Sequence, residues 1–292
     1  MASILITGAN GKIASAIIDK VEKNNKLFLF SRDKQKLINN YAYLNNASFY
    51  DYKEIHNFSE QIDIVLHCAF ERSNDETKLL EAQKLSVAIF ELAKKVNCRR
   101  FINISSQAVY DGISDLAPTE DAPLRPFDLY GTLKLSTEKI LENILYKQSY
   151  LNIRLTALSG SCYPAHILSK IVNRAIEERI IVAGSKNLNF AFMDFRDAID
   201  AFLILFDLNL EPKFNTYNLG NNQQYNILEI AQEVQDCLAE RNIDVKIKIG
   251  NDDKILNAQL NSTRFMNEFN WKPKYSLKDT IHNLIDLKLG NL

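Results

Sequence analysis

A chain of 292 residues is long enough for one large domain or a domain and a half, and 46% apolar residues can fill a sizeable core. Lys and Arg number 35 against 36 Asp and Glu, a net charge of −1, so charge gives no reason to expect nucleic acid or an anionic membrane as a partner. The cysteines Cys68, Cys98, Cys162 and Cys237 lie far apart with no CxxC pair, and His is scarce; neither a metal site nor a disulfide framework is expected, and reduced thiols in a cytoplasmic protein are. No apolar run approaches the ~20 residues of a membrane span. No charged segment precedes an apolar core at the N-terminus, so no signal peptide is read.

Strands and helices alternate along the first half. "SILIT" reads as a strand, followed by the helix "KIASAIIDKVEKN" with Ile13, Ile17, Ile18 and Val21 on one face. "KLFLFS" and "ASFYD" are the next strands, and "IDIVLHCAF" a fourth. The long helix "DETKLLEAQKLSVAIFELAKKVN" leads to the strand "RRFINIS", the helix "DLYGTLKLSTEKILENIL" and the strand "YLNIRLT". Such alternation predicts parallel strands with crossover helices on both faces. Strands rich in Ile, Leu, Val and Phe without strict alternation fit a sheet covered on both sides. Past residue 160 the regularity weakens. The expected organisation is a Rossmann-type, doubly wound α/β domain over residues 1–160, with residues 161–292 mainly a small substrate-binding lobe, some of whose segments return to the sheet.

The stretch "ITGANGKIAS" carries the first chemical signal. A strand, a glycine turn and a helix entry form a phosphate-binding element: Gly8 allows the tight turn, Gly11 lets backbone N–H groups approach a pyrophosphate, and the first helical turn points its N–H groups at the anion. Ala14 stands at the third small position and still permits close helix–strand packing. The second strand ends in Ser31 and Arg32, with no carboxylate at the first position beyond it. A hydroxyl and a guanidinium suit a ribose 2′-phosphate, so NADP is favoured over NAD. Asp33 is the competing ribose ligand, and equally an N-cap for "KQKLINN".

"YGTLK" is the strongest signal. Tyr130 and Lys134 are four apart and share a helix face, where an ammonium can lower the phenol's pKa and make it a general acid/base. Ser105 and Ser106 in "INISSQAVY" end the preceding strand, and ligands of open parallel sheets bind at the carboxyl ends of strands.

Together these residues resemble the extended short-chain dehydrogenase/reductases of the NAD(P)-dependent epimerase/dehydratase kind. "TGANGKIA" resembles TGxxGxxG, "SSQAVY" resembles SSxxVY, and "TEDAPLRPFDLYGTLKLSTEK" resembles the run into the catalytic helix. "FMDFRDAIDAFLILF", "YNLGNNQQYNILEIAQEV" and "FNWKPKYSLKDTI" resemble the family's C-terminal half in order. The resemblance implies Ser106, Tyr130 and Lys134 as the catalytic set. It implies cofactor contacts from Gly8, Asn10, Gly11, Lys12 and Ile13 in the turn, and from Ser31 and Arg32. Asp51 with Tyr52 resembles the pair beside the adenine, and "HCA" resembles the segment lining the cofactor, which adds Cys68, Ala69 and Phe70 to Tyr130 and Lys134.

Departures narrow the function. Gln107 and Ala108 stand where dehydratases of this group carry an Asp–Glu pair, so elimination lacks its acid. Ala157 replaces an Asn, and Phe190 an Arg, at positions that usually contact a nucleotide-linked sugar; Lys170, Arg174 and Arg179 lie nearby but read first as solvated helix residues. His67 is read as a packed strand-end histidine, Trp271 with Pro273 as a packing anchor, and Phe190, Phe192 and Phe195 as core. The expected function is hydride transfer to or from a sugar, epimerase or reductase, on a substrate that is a sugar nucleotide; a reductase of a non-sugar ketone and a non-catalytic dinucleotide sensor are the alternatives. The expected assembly is a homodimer.

Overall fold

The computed structural model describes residues 1–70, 72–73, 75–110, 117–160, 162–164, 166–184, 187–250 and 256–290. In chain order the elements are β1 (Ser3–Thr7), α1 (Lys12–Val21), β2 (Lys26–Ser31), α2 (Lys34–Tyr41), β3 (Ala47–Asp51), β4 (Ile64–His67), α3 (Glu76–Lys95), β5 (Arg100–Ser106), α4 (Leu129–Ile144) and β6 (Tyr150–Leu155). They continue with β7 (Ala157–Ser159), α5 (Ile167–Glu178), β8 (Ile180–Ala183), β9 (Leu188–Phe190), β10 (Phe192–Asp194), α6 (Phe195–Ile204) and β11 (Thr216–Leu219). The last are β12 (Tyr225–Asn226), α7 (Ile227–Ala239), β13 (Lys246–Ile249), β14 (Leu256–Asn257), α8 (Thr263–Glu268) and α9 (Leu277–Leu289).

Seven strands make the central sheet, in the order β11-β6-β5-β4-β1-β2-β3. Every pairing from β3 across to β6 is parallel. This is a Rossmann-type α/β fold. The strand order reverses between β1 and β4, and that is where a sheet of this kind opens a crevice at its carboxyl edge. Residues Ile4 to Thr7 of β1 and all of β6 are buried, which explains why these strands carry apolar runs rather than alternation.

Two compact units are present. The first comprises Met1–Asp111, Pro123–Leu155 and Phe202–Tyr217. Its core includes Phe28, Phe30, Phe90 and Phe101, with Phe90 and Phe101 edge to face at 5.3 Å. Ala14, Ile17, Ile18 and Val21 are the buried residues of α1; Ile13, expected on the same face, is only partly buried, and Ala14 takes its place against the sheet. Buried Arg100 at the start of β5 donates to the carbonyls of Leu205 and Asp207, fastening the segment after α6. The second unit comprises Gly112–Ala122, Thr156–Ala201 and Asn218–Leu292. Its core gathers residues of α5, α7 and α9, among them Val172, Ile230, Val234 and Ile281. Among the described residues no helix is long and apolar enough to cross a membrane, and no cluster of His, Cys, Asp or Glu could hold a metal ion.

The fourth strand is shorter than its apolar run. β4 stops at His67, and the Cys68 and Ala69 N–H groups leave the ladder to donate to the Thr7 hydroxyl at 3.2 and 3.3 Å. A β1 neighbour that turns away at Gly8 offers them no further backbone partner.

Candidate active site

The glycine turn is built for close approach. Gly8 has φ +64°, a conformation that disfavours any side chain, and a Cβ there would lie 3.0 Å from the Ala69 nitrogen and the Cys68 carbonyl carbon. The Gly8 N–H donates to the Tyr52 hydroxyl at 2.7 Å, and the Gly11 N–H to the Gly8 carbonyl at 2.7 Å. Burial pushes the Tyr52 phenol up, so this oxygen stays a neutral acceptor. α1 then starts at Lys12 with Gly11 as N-cap and no side chain capping it. By contrast Asp33, Asp75 and Asp128 cap α2, α3 and α4 with their carboxylates. The first turn of α1 thus presents Lys12, Ile13 and Ala14 backbone donors at the positive end of a helix dipole, which suits a phosphate. Fully buried Ala14 keeps helix and sheet close.

At the end of β2, Ser31 pairs in register with Asp51 of β3. The Ser31 hydroxyl oxygen accepts from Asn10 Nδ2 at 2.8 Å and from the Asp33 N–H at 3.2 Å. Asp33 is an N-cap, its carboxylate taking the Lys36 N–H at 2.9 Å. Arg32 is exposed between the two. Asp51 accepts the Lys53 N–H at 2.8 Å and opens the short turn Tyr52–Asn57.

His67 belongs to the scaffold. Its Nδ1 lies 2.8 Å from Thr7 Oγ1 and its Nε2 2.9 Å from Ser86 Oγ. Ser86 gives its own proton to the Ala82 carbonyl, so Nε2 carries the ring proton and Nδ1 accepts from Thr7. Burial depresses the imidazole to about 3, with the Lys134 charge acting in the same direction, so the ring is neutral at ordinary pH.

β5 and α4 bring the predicted catalytic residues together. Asp128 caps α4 by accepting the Gly131 N–H at 2.7 Å. Gly131 rests on the turn after β5, where a Cβ would lie 2.1 Å from the Ala108 carbonyl oxygen. Ser106 Oγ accepts the Ala108 N–H at 3.2 Å and favours the ionised form of the nearby Tyr130 phenol. Buried Lys134 donates to the Ile104 carbonyl at 2.7 Å and lies 4.1 Å from the Phe70 ring centroid. Burial lowers its ammonium to about 7, opposed by the charges of Glu138 and Cys68. The Tyr130 phenol is raised by burial, opposed by the Ser106 hydroxyl and by the guanidinium of Arg72.

Five residues that the sequence reading did not assign a role complete the arrangement. Glu138 continues the four-residue spacing of Tyr130 and Lys134. It pairs with Arg154 of β6 through Nε at 3.1 and 3.2 Å and Nη2 at 2.8 Å, both side chains being 5% exposed or less. Ser105 Oγ donates to Glu138, and Arg154 Nη1 donates to the Tyr110 hydroxyl at 2.7 Å. This network ties β5, β6 and α4 together directly behind the site. Glu138 and Arg154 had a signal, the continued four-residue spacing of polar residues on α4 and one cation inside an apolar strand. Arg72, with its guanidinium carbon 5.6 Å from the Tyr130 ring centroid, had none.

In the second unit Phe192 and Phe195 are buried and Phe190 is half-buried against the core. Lys170, Arg174 and Arg179 are exposed, and Arg174 pairs with Glu178 at 2.7 Å. Trp271 is buried edge to face on Phe265 at 5.5 Å.

A sheet of this order, a glycine turn feeding an uncapped helix, and a YxxxK helix beside the end of β5 define an extended short-chain dehydrogenase/reductase. The model of the NAD dependent epimerase/dehydratase family matches residues 4–220, and the chain belongs to that family. It is 24% identical to the dTDP-D-glucose 4,6-dehydratase of Bos taurus over a 318-residue alignment covering 97% of this chain and 87% of the relative. It is 33% identical over 153 residues to the methionine adenosyltransferase 2 subunit beta of Bos taurus, covering 49% and 43%. A single-site variant of UDP-glucuronic acid 4-epimerase from Bacillus cereus, crystallised with NAD and UDP-4-deoxy-4-fluoro-glucuronic acid, shares the fold with a TM-score of 0.82 at 19% identity, covering 99% and 100%.

Proposed function

We propose that the protein is an NADP-dependent epimerase or ketoreductase acting on a nucleotide-linked sugar. The observation that carries this is the convergence of Ser106, Tyr130 and Lys134 beside the Cys68–Phe70 segment. The bovine relative named above is a dTDP-D-glucose 4,6-dehydratase and the Bacillus cereus crystal holds NAD with a UDP-sugar, which supports a nicotinamide cofactor and a sugar nucleotide here. A homodimer in the cytoplasm is part of the same reading.

A bound nicotinamide dinucleotide supplies the hydride acceptor and donor. The N–H groups of Lys12 and Ile13 would hold its pyrophosphate, and Phe70, Cys68 and Ala69 would line its nicotinamide end. Tyr130 takes the proton of a substrate hydroxyl as hydride leaves the same carbon, and gives it back when the ketone is reduced. Ser106 hydrogen-bonds the reacting oxygen. Lys134 holds the nicotinamide ribose. Gln107 and Ala108 carry no acid for eliminating a hydroxyl, so the chemistry stops at oxidation, reduction or epimerisation. Incubation with UDP-glucose and dTDP-glucose, followed by NMR, is expected to yield a 4-epimer or a ketone and no 4-keto-6-deoxy sugar; formation of the latter refutes the reading. Ala157 and Phe190 favour one second reading, a reductase of a non-sugar ketone, which gains if both nucleotide sugars are inert while a simple ketone is reduced.

Cofactor choice is a separate expectation. With Asp33 held as an N-cap, Ser31 and Arg32 are the groups left to read the ribose. A charge-assisted guanidinium–phosphate contact contributes about 1.5–3 kcal/mol, or roughly one to two decades in affinity. Fluorescence titration is expected to show NADPH binding more tightly than NADH by that margin. Equal affinities would return the ribose to Asp33.

A further inference from the structure

We propose that Arg72, on the segment after β4, is a positioning residue that adds to Lys134 in stabilising the ionised form of Tyr130. The proposal rests on the reading of Tyr130 as the acid/base.

The two cations lie at similar range from the Tyr130 ring but differ in what else they engage. Lys134 is buried, its ammonium 2.7 Å from the Ile104 carbonyl and 4.1 Å from the Phe70 ring centroid, with the Tyr130 ring centroid at 6.0 Å. Its nearest acceptor is the backbone of β5, not the phenol. The Arg72 guanidinium lies 5.6 Å from the Tyr130 ring centroid. Phe70, two residues before Arg72, meets Tyr130 edge to face at 5.9 Å, so one short segment supplies both an aromatic wall and a charge to the same ring. A guanidinium stacks on an aromatic face without giving up its in-plane donors.

The charged and titratable groups around the phenol are few. Ser106 approaches from the end of β5, Arg72 from the segment after β4, and Asp128 and Lys134 from α4 itself. Ser106 and Arg72 favour the phenolate, and Asp128 opposes it with a carboxylate already engaged by the Gly131 N–H. A guanidinium stays protonated at every pH at which the enzyme works. Lys134, lowered to about 7, loses its charge inside that range. Arg72 is therefore a constant field on Tyr130, and Lys134 a variable one directed at the cofactor ribose.

The test is an ultraviolet difference titration of the full-length protein with its cofactor bound. The chain has 12 tyrosines, so the Tyr130→Phe protein is subtracted to isolate one phenol. In Arg72→Gln the Tyr130 midpoint is expected to move to higher pH, and in Arg72→Lys to return towards wild type. On the acid side of the pH–rate profile, kcat/KM of Arg72→Gln is expected to fall roughly threefold to tenfold, as for loss of one solvent-exposed charge at this range. Arg72 is exposed, so the fold is retained, and an unchanged thermal midpoint verifies it. An unmoved Tyr130 midpoint in Arg72→Gln overturns the proposal, as does a shift that Arg72→Lys fails to reverse. A Tyr130→Phe enzyme that keeps its turnover is a different failure: it ends the acid/base reading and leaves the titration of the phenol as measured.

Discussion

Tyr130→Phe is expected to lose at least ~100-fold in turnover while still binding cofactor. That factor is the lower range for removing a general acid or base. The substitution keeps the ring, its edge contact with Phe70 and its packing under Arg72, and deletes only the oxygen that moves the proton. A free phenol ionises near pH 10, so only about one in a thousand is a base at pH 7. Burial pushes the Tyr130 phenol further from that task, and the Ser106 hydroxyl and nearby positive charge must pull it back. Lys134→Met is expected to lose turnover and part of the cofactor affinity together, since on the proposed reading its Nζ, 2.7 Å from the Ile104 carbonyl, also holds the nicotinamide ribose. Turnover on the true substrate and cofactor binding by fluorescence are measured separately. If Tyr130→Phe keeps most of its turnover, the assignment fails, and a non-catalytic dinucleotide-binding protein becomes the better description.

Arg154→Met is expected to cost about 3–5 kcal/mol of stability, the range for leaving one partner of a buried ion pair alone. The removed guanidinium makes three contacts to Glu138 at 2.8 to 3.2 Å and one to Tyr110 at 2.7 Å, with Glu138 3% and Arg154 5% exposed. The carboxylate left behind must take up a proton or draw in water. Adding Glu138→Leu to the same protein is expected to recover at least half of the loss, because an apolar pair of similar volume avoids the desolvation altogether. Urea unfolding of the two single variants and the double variant completes the cycle. A single variant within 1 kcal/mol of wild type would mean that water already reaches Glu138, and the network would carry little of the stability of β5, β6 and α4.

Much of the first unit is legible from residue order alone. β1, β2, β3 and β6 begin and end within a residue of their apolar runs, because each is bounded by a turn residue or a cap. The end of β4 is not legible, because what stops it is the departure of β1 at Gly8, a neighbour 60 residues away in sequence. Tyr130 and Lys134 are readable through the four-residue period of a helix. The Asp33 ambiguity is not resolved by spacing, since an N-cap and a ribose ligand can occupy the same position; the Lys36 hydrogen bond shows the cap. Arg72 is invisible for a different reason. It sits in an irregular segment where no period ties it to α4, and only the fold brings it over Tyr130.

The contact between Gly131 and the Ala108 carbonyl has a consequence for anyone who would re-engineer this pocket. An alanine scan would score position 131 among the essential residues, for the spacing it preserves rather than for any side chain of its own. One added methyl would lever the start of α4 away from the turn after β5, and the hydroxyl on one element would no longer reach the phenol on the other. Saturation libraries aimed at new substrates should therefore hold position 131 constant and spend their diversity on side chains that face the crevice, where a change of size alters selectivity without resetting the spacing on which the chemistry depends.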